Sequence, residues 1–237
     1  MNSDLVADEP WDLRIEGSSD QLLSLEHAGE PSTDELAGEL AERGLSLRAR
    51  TFSDDRAIAR AGGQIHRVPA LERVVLSRVQ DILILDSPDP CIDVSHSEPR
   101  WPTRIFVSMP PGEPIGDLRL AEAVVHEAMH LNLTLLEGQV QLVIPGYQLY
   151  SPWRRASRPA GGVLHGLYVF VCLLRFFEIL KCDHDLSAEQ HDHLARRQAQ
   201  ILTECGEIQP EALSMALTSD ARLLVTRLFK MVDDCRI

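Results

Sequence analysis

Val124-Val125-His126-Glu127-Ala128-Met129-His130 is a His-Glu-x-x-His signature set inside a stretch that reads as one strong helix. Residues four apart share a helix face, because four residues slightly exceed one 3.6-residue turn, so His126 and His130 form a two-nitrogen clamp for a metal. Read outward, the helix begins at Asp117, a good cap, and runs to Glu137 before Gly138. On its wheel Glu122, His126, His130 and Thr134 or Glu137 form a polar stripe, surrounded by Val124, Val125, Met129, Leu131, Leu133, Leu135 and Leu136. A solvated face is broad and rich in Lys, Glu and Gln, whereas this stripe is narrow and carries both histidines, which marks it as reserved for an internal site. The usual reading of the signature is a zinc protease with Glu127 as general base, and that reading needs a third ligand.

The flanking sequence predicts a mainly α protein, a helical domain around this central helix with a few short strands. We assign residues 1–50 to an N-terminal arm and short helix, and 51–237 to a helical, metal-binding catalytic domain. Within the first part, a loosely held arm or a short strand and turn precedes a helix that starts at Ser32 or Thr33. That helix shows Leu36, Leu40 and Leu45 on one face and ends near Gly44. A second helix over 54–61 stops at Gly62-Gly63. A third over 69–85 carries Leu71, Val74, Val75, Val79, Ile82 and Leu83 at helical spacing. Prolines at 88, 90, 99 and 102 enforce a loop over 87–102, and 104–109 is the clearest strand.

Beyond the central helix, 140–144 is a candidate strand, 151–162 a loop dense in arginine, and 163–180 an apolar run. A membrane span needs roughly 20 apolar residues. Arg175 and Glu178 interrupt this run too early, so a buried core helix is expected. Helices over 187–205, 210–217 and 220–232 complete the chain.

The 237 residues carry 36 Asp plus Glu against 23 Lys plus Arg, a formal net charge of −13. That balance argues against nucleic-acid binding, which depends on neutralising phosphates. The opening Met1-Asn2-Ser3-Asp4 shows no basic-then-apolar signal pattern, so a cytoplasmic, membrane-free location is the expectation. The five cysteines are odd in number and form no Cys-x-x-Cys pair, which fits reduced thiols. Only Lys181 and Lys230 are lysines, a bias typical of a GC-rich bacterial genome.

The third ligand has several candidates. Leu133 and Leu136 occupy the places where the extended protease motif has Gly and His. Glu137 is seven residues past His130, roughly 10 Å along the axis, too far to share an ion with the pair. Glu178, on the later apolar helix, would serve a gluzincin-like peptidase. His165 sits beside Gly166, where a backbone or ligand can approach closely. A lone buried His is more often a satisfied core residue than a ligand. Against that, the preceding arginines place fixed positive charge near the metal, for which a protease has no general need. His184, His191 and His193 near Cys182 read as a solvated face.

His-Glu-x-x-His followed by Ser151-Pro152-Trp153-Arg154, Arg158-Pro159 and Gly162-Val163-Leu164-His165-Gly166 resembles the 2-oxoglutarate-dependent HExxH-type peptide beta-hydroxylases, bacterial enzymes that modify ribosomally made peptides. The similarity covers residues 118–180. It implies a non-haem Fe(II) site of His126, His130 and His165, with 2-oxoglutarate chelating the iron and its distal carboxylate held by Arg154 and Arg158. Arg175, three turns past His165, is a further candidate for that carboxylate. A bidentate 2-oxo acid and three protein ligands leave one octahedral position for O₂, and arginine's planar fork suits a carboxylate. Under the commoner two-His-one-carboxylate rule, Glu178 or Glu122 replaces His165. Glu127 then orients a ligand or an arginine.

The expected activity is hydroxylation of an amino-acid side chain, at the beta carbon, in a peptide or amino-acid substrate. The alternatives are a zinc-dependent hydrolase with Glu127 as general base and a non-catalytic peptide-binding module. For the N-terminal arm, closure over the site and a homodimer contact are both open.

Overall fold

The computed structural model describes residues 5–6, 9–15, 33–86, 89, 92–112 and 114–236. In chain order the elements are β1 (Leu5–Val6), β2 (Arg14–Ile15), α1 (Thr33–Glu42), β3 (Ser46–Leu47), α2 (Phe52–His66), α3 (Pro69–Arg78), β4 (Asp81–Asp86) and β5 (Ser95–Ser97). They continue with β6 (Arg104–Ser108), α4 (Ile115–Glu137), β7 (Gln148–Ser151), β8 (Ala156–Pro159), α5 (Ala160–Lys181), α6 (Ala188–Gly206), α7 (Pro210–Met215) and α8 (Ser219–Asp234). The chain is mainly helical with a few short strands, as the sequence predicts. Its contacts divide it into two compact units, residues 23–131 and residues 1–22 with 132–237, and the division falls inside α4.

The unit of residues 23–131 is built on a four-stranded sheet in the order β3-β4-β6-β5. β4 and β6 run parallel, with Asp81 opposite Arg104 and Leu85 opposite Ser108, while β3 and β5 lie antiparallel on the two edges. Leu36 and Leu40 of α1 bury against Leu85, Trp101 and Phe106. Trp101 meets Phe106 edge-on at 5.8 Å, a favoured aromatic geometry. Gly44 ends α1 with φ +71, a conformation glycine adopts without steric penalty.

Two boundaries here differ from the sequence reading. α2 continues through Gly62-Gly63 to His66, because Ala61 and Ile65 are buried and their packing outweighs roughly 0.5–1 kcal/mol of propensity lost at each glycine. Its start is fixed by a capping box: the Thr51 hydroxyl accepts from the Asp54 amide, and the Asp54 carboxylate accepts from the Thr51 amide at 2.8 Å. The Arg48 fork closes on the same carboxylate at 2.7 and 2.8 Å. The expected helix over 69–85 ends at Arg78, and Asp81–Asp86 is a strand instead. A short apolar run such as Ile82-Leu83-Ile84-Leu85 fits either period, and pairing on both sides, with β3 and β6, decides for the strand.

In the other unit α5 is the core element, with α6 and α8 packed along it. By length and composition it is apolar enough to cross a membrane, yet 67% of its most apolar window is buried, which is the environment of a core helix. The expected strand over 140–144 reduces to a single bridge between Val143 and Leu217. The expected arginine loop is a β-hairpin, β7 paired antiparallel with β8, leading directly into α5. Residues 9–15 also belong to this unit: Trp11 is buried, and its carbonyl accepts from Asn132 Nδ2 at 3.0 Å.

Candidate metal centre

From Ala121 to Leu136 the partly open residues of α4 are Glu122, His126, His130 and Thr134, with every residue between them buried, and Glu137 extends the line. This is the predicted polar stripe. Within the 23–131 unit the Nε2 atoms of His126 and His130 stand 3.2 Å apart. Metal–nitrogen bonds of about 2.0–2.1 Å set two ligand nitrogens about 2.9 Å apart at a right angle and about 3.4 Å apart at a tetrahedral one. The observed separation lies between those limits, so the pair fits one shared ion. Among the described residues no three His, Cys, Asp or Glu side chains are gathered in an arrangement that could hold a metal.

Glu127, between the two histidines, is 3% exposed. Its Oε1 accepts from the Ser95 hydroxyl and its Oε2 from the Ser97 hydroxyl, both at 2.6 Å. Those lengths are typical of a hydroxyl donating to an ionised carboxylate. Strand geometry explains the pairing: residues 95 and 97 of β5 project to one face and His96 to the other, where it meets Phe106 and Glu98. Oε1 also lies 3.9 Å from His126 Nε2. No protein-family model matches the chain, and no curated protein is significantly similar to it.

In the other unit His165 Nε2 is 2.8 Å from Glu137 Oε2, so the carboxylate set aside as too far from the histidine pair is the partner of the proposed third ligand. Gly166 does accept a close approach, by the Trp153 ring: a Cβ there would lie 2.4 Å from Trp153 Cζ3. Trp153 in turn stacks on Phe170 at 5.0 Å. Arg154 and Arg158 lie on the β7–β8 hairpin and are both exposed, with Arg158 Nε 3.9 Å from where a Cβ on Gly162 would sit.

Arg175 is committed elsewhere. Its guanidinium donates to Glu9 at 3.1 and 3.2 Å and to Glu178 at 2.8 Å, and these carboxylates push its pKa up. Glu178, the alternative third ligand, is thereby held in an ion pair.

Sequence reasoning missed Ser95, Ser97 and the Glu137 partner of His165. Ser-His-Ser carries too little strand signal to be read as an element, and nothing local ties it to a helix some thirty residues later.

Proposed function

We propose that this chain is an Fe(II)- and 2-oxoglutarate-dependent oxygenase that hydroxylates an amino-acid side chain, at the beta carbon, in a peptide or amino-acid substrate. The observation that carries the reading is the His126–His130 pair, whose 3.2 Å nitrogen separation suits a common ion. The sequence resemblance adds the choice of metal and cosubstrate. Bound Fe(II) with 2-oxoglutarate supplies oxidation by O₂, with succinate and CO₂ as coproducts.

In this reading His126 and His130 hold the ion through Nε2. His165, taken from the resemblance, is the third ligand. Metal-bound histidines regularly present their other ring nitrogen to a carboxylate, which fixes the ring and raises its basicity. Glu137 on Nε2 fits that role. Arg154 and Arg158 are the candidates to clamp the distal carboxylate of the cosubstrate, and Arg158 stands beside the first turn of α5, which carries His165. Glu127 is a positioning residue, its carboxylate anchored by Ser95 and Ser97.

The second reading, a zinc hydrolase with Glu127 as general base, draws on the 3.9 Å approach of Glu127 to His126. It would require Glu127 to turn at least one oxygen away from its serine partners towards a water.

Anaerobic addition of Fe(II) and 2-oxoglutarate tests the proposal. A metal-to-ligand charge-transfer absorption, followed by succinate release on admitting O₂, is expected, and both should vanish in His126→Ala and His130→Ala. Tight iron retention by either variant would overturn the ligand assignment. Absence of the absorption with strong zinc retention would favour the hydrolase, and no metal at all a peptide-binding module.

A further inference from the structure

The β7–β8 hairpin carries, at its turn and on its outward face, two residues that the proposed metal chemistry does not use, Arg155 and Tyr150. Among the described residues neither strand pairs with a third, so each has an unpaired edge. Every residue from Arg154 to Pro159 is exposed, and Tyr150 is 52% exposed beside them. Arg154, Arg155 and Arg158 make no ion pair or hydrogen bond among the described residues. Elsewhere the chain's excess of carboxylates engages its arginines: Arg48 sits on Asp54, Arg60 on Asp117, Arg100 on Glu39 and Arg119 on Asp93.

The turn adds an independent observation. Arg155 has φ +48, and among the described residues no other non-glycine residue has positive φ. Glycine or asparagine occupies this left-handed region at lower cost. A strained position that nonetheless holds a long cation, projected from an exposed turn, is a feature to be explained by function before packing. The register places Tyr150 opposite Ser157, on the face away from buried Ser151. Exposed tyrosine and arginine are the residue types over-represented at binding hot spots.

We propose that this hairpin docks an extended, acidic polypeptide segment, with Arg155 pairing its carboxylates at the turn and Tyr150 covering its backbone. The inference needs neither iron nor cosubstrate. Charge selects a peptide over other polyanions. Nucleic acid and anionic bilayers present extended negative fields that a chain of formal charge −13 repels. A short acidic segment on the hairpin lies within about 8–10 Å of these cations at ordinary salt, and charge farther off is screened. An open strand edge supplies main-chain hydrogen bonding to an extended partner.

Fluorescence anisotropy on the metal-free full chain, with a labelled peptide alternating glutamate and threonine, tests this. The peptide should bind, more weakly as salt rises. Arg155→Gly should weaken it about three- to fivefold, the upper range for one exposed charge pair, and Tyr150→Ala should weaken it as well. Because glycine relieves the turn, Arg155→Gly should melt at or above the wild-type temperature, which separates lost recognition from misfolding. The inference is overturned by equal affinity in Arg155→Gly, by equal binding of a lysine–threonine peptide, or by no binding. Preference for single-stranded DNA or phosphatidylserine vesicles would overturn it too. None of these outcomes touches the charge-transfer test of the oxygenase reading, so the two fail separately.

Discussion

Removing the hydroxyls that hold Glu127 is the perturbation that most directly probes the candidate centre. Ser95 and Ser97 each donate to one carboxylate oxygen at 2.6 Å, and Glu127 is too deeply buried for water to take over. A hydrogen bond to a charged group contributes about 1.5–3 kcal/mol. Ser95→Ala and Ser97→Ala should each cost about that much, and the double variant about 3–6 kcal/mol, a large part of a typical domain's stability.

Glu127→Gln keeps the shape and removes the charge. The new amide accepts from one serine and donates to the other, so each remaining bond falls to the neutral value of about 0.5–1.5 kcal/mol. Each serine replacement should therefore cost about 1 kcal/mol less in the Glu127→Gln background, well outside the additivity expected of independent sites. Urea unfolding followed by circular dichroism, with slopes compared across variants, measures all of these differences. Single serine variants costing under about 0.5 kcal/mol, or serine and glutamate changes that simply add, would refute the account of Glu127 as an anchored, ionised carboxylate.

Gly166→Ala would drive a methyl into the Trp153 ring, so a loss of about 1–3 kcal/mol is expected, read as a lowered melting temperature; an unchanged one would show that the ring is not seated there. Asn132→Ala strips the donor from the Trp11 carbonyl and the Tyr168 hydroxyl, and chemical denaturation should show a loss of about 2–4 kcal/mol. Asp54 is held below the ordinary carboxylate range, first by the Arg48 hydrogen bonds, against the opposing effect of burial. Its stabilisation is complete above the unfolded pKa of about 4 and is lost as pH falls through the folded value. Asp54→Asn should therefore be destabilised near neutrality and approach wild type in acid; a gap that stays constant from neutral pH down through the acid range on titrated melts would count against the ion pair.

The sequence made α4 legible because a single polar line through an apolar helix is a periodic signal, and the half-open residues fall along it. It also exposed α5 and the three helices that follow, where long apolar or amphipathic runs are bounded by turn residues. The 79–85 stretch was illegible because Val79, Ile82 and Leu83 satisfy helical spacing while the neighbouring strands, not local preference, choose the conformation. The β7–β8 hairpin was hidden by its own turn, since Arg155 stands where glycine or asparagine would have announced a reversal. Partners of Glu127 and His165 lie some thirty residues away in sequence, and no periodicity reaches that far.

Residues 9–15 bear on how the protein tolerates shortening. Read from sequence they belong to a loosely held arm or a short strand and turn, yet Trp11 is 1% exposed, its carbonyl engages Asn132 of α4, and Glu9 engages Arg175 of α5. Losing a buried tryptophan costs about 3–5 kcal/mol. A protease cut, an alternative start codon or a cloning boundary downstream of residue 11 would leave two helices with an open notch. Such a product would be recognised by the cell's quality control as damaged goods, and its level in the cell would report the integrity of this segment.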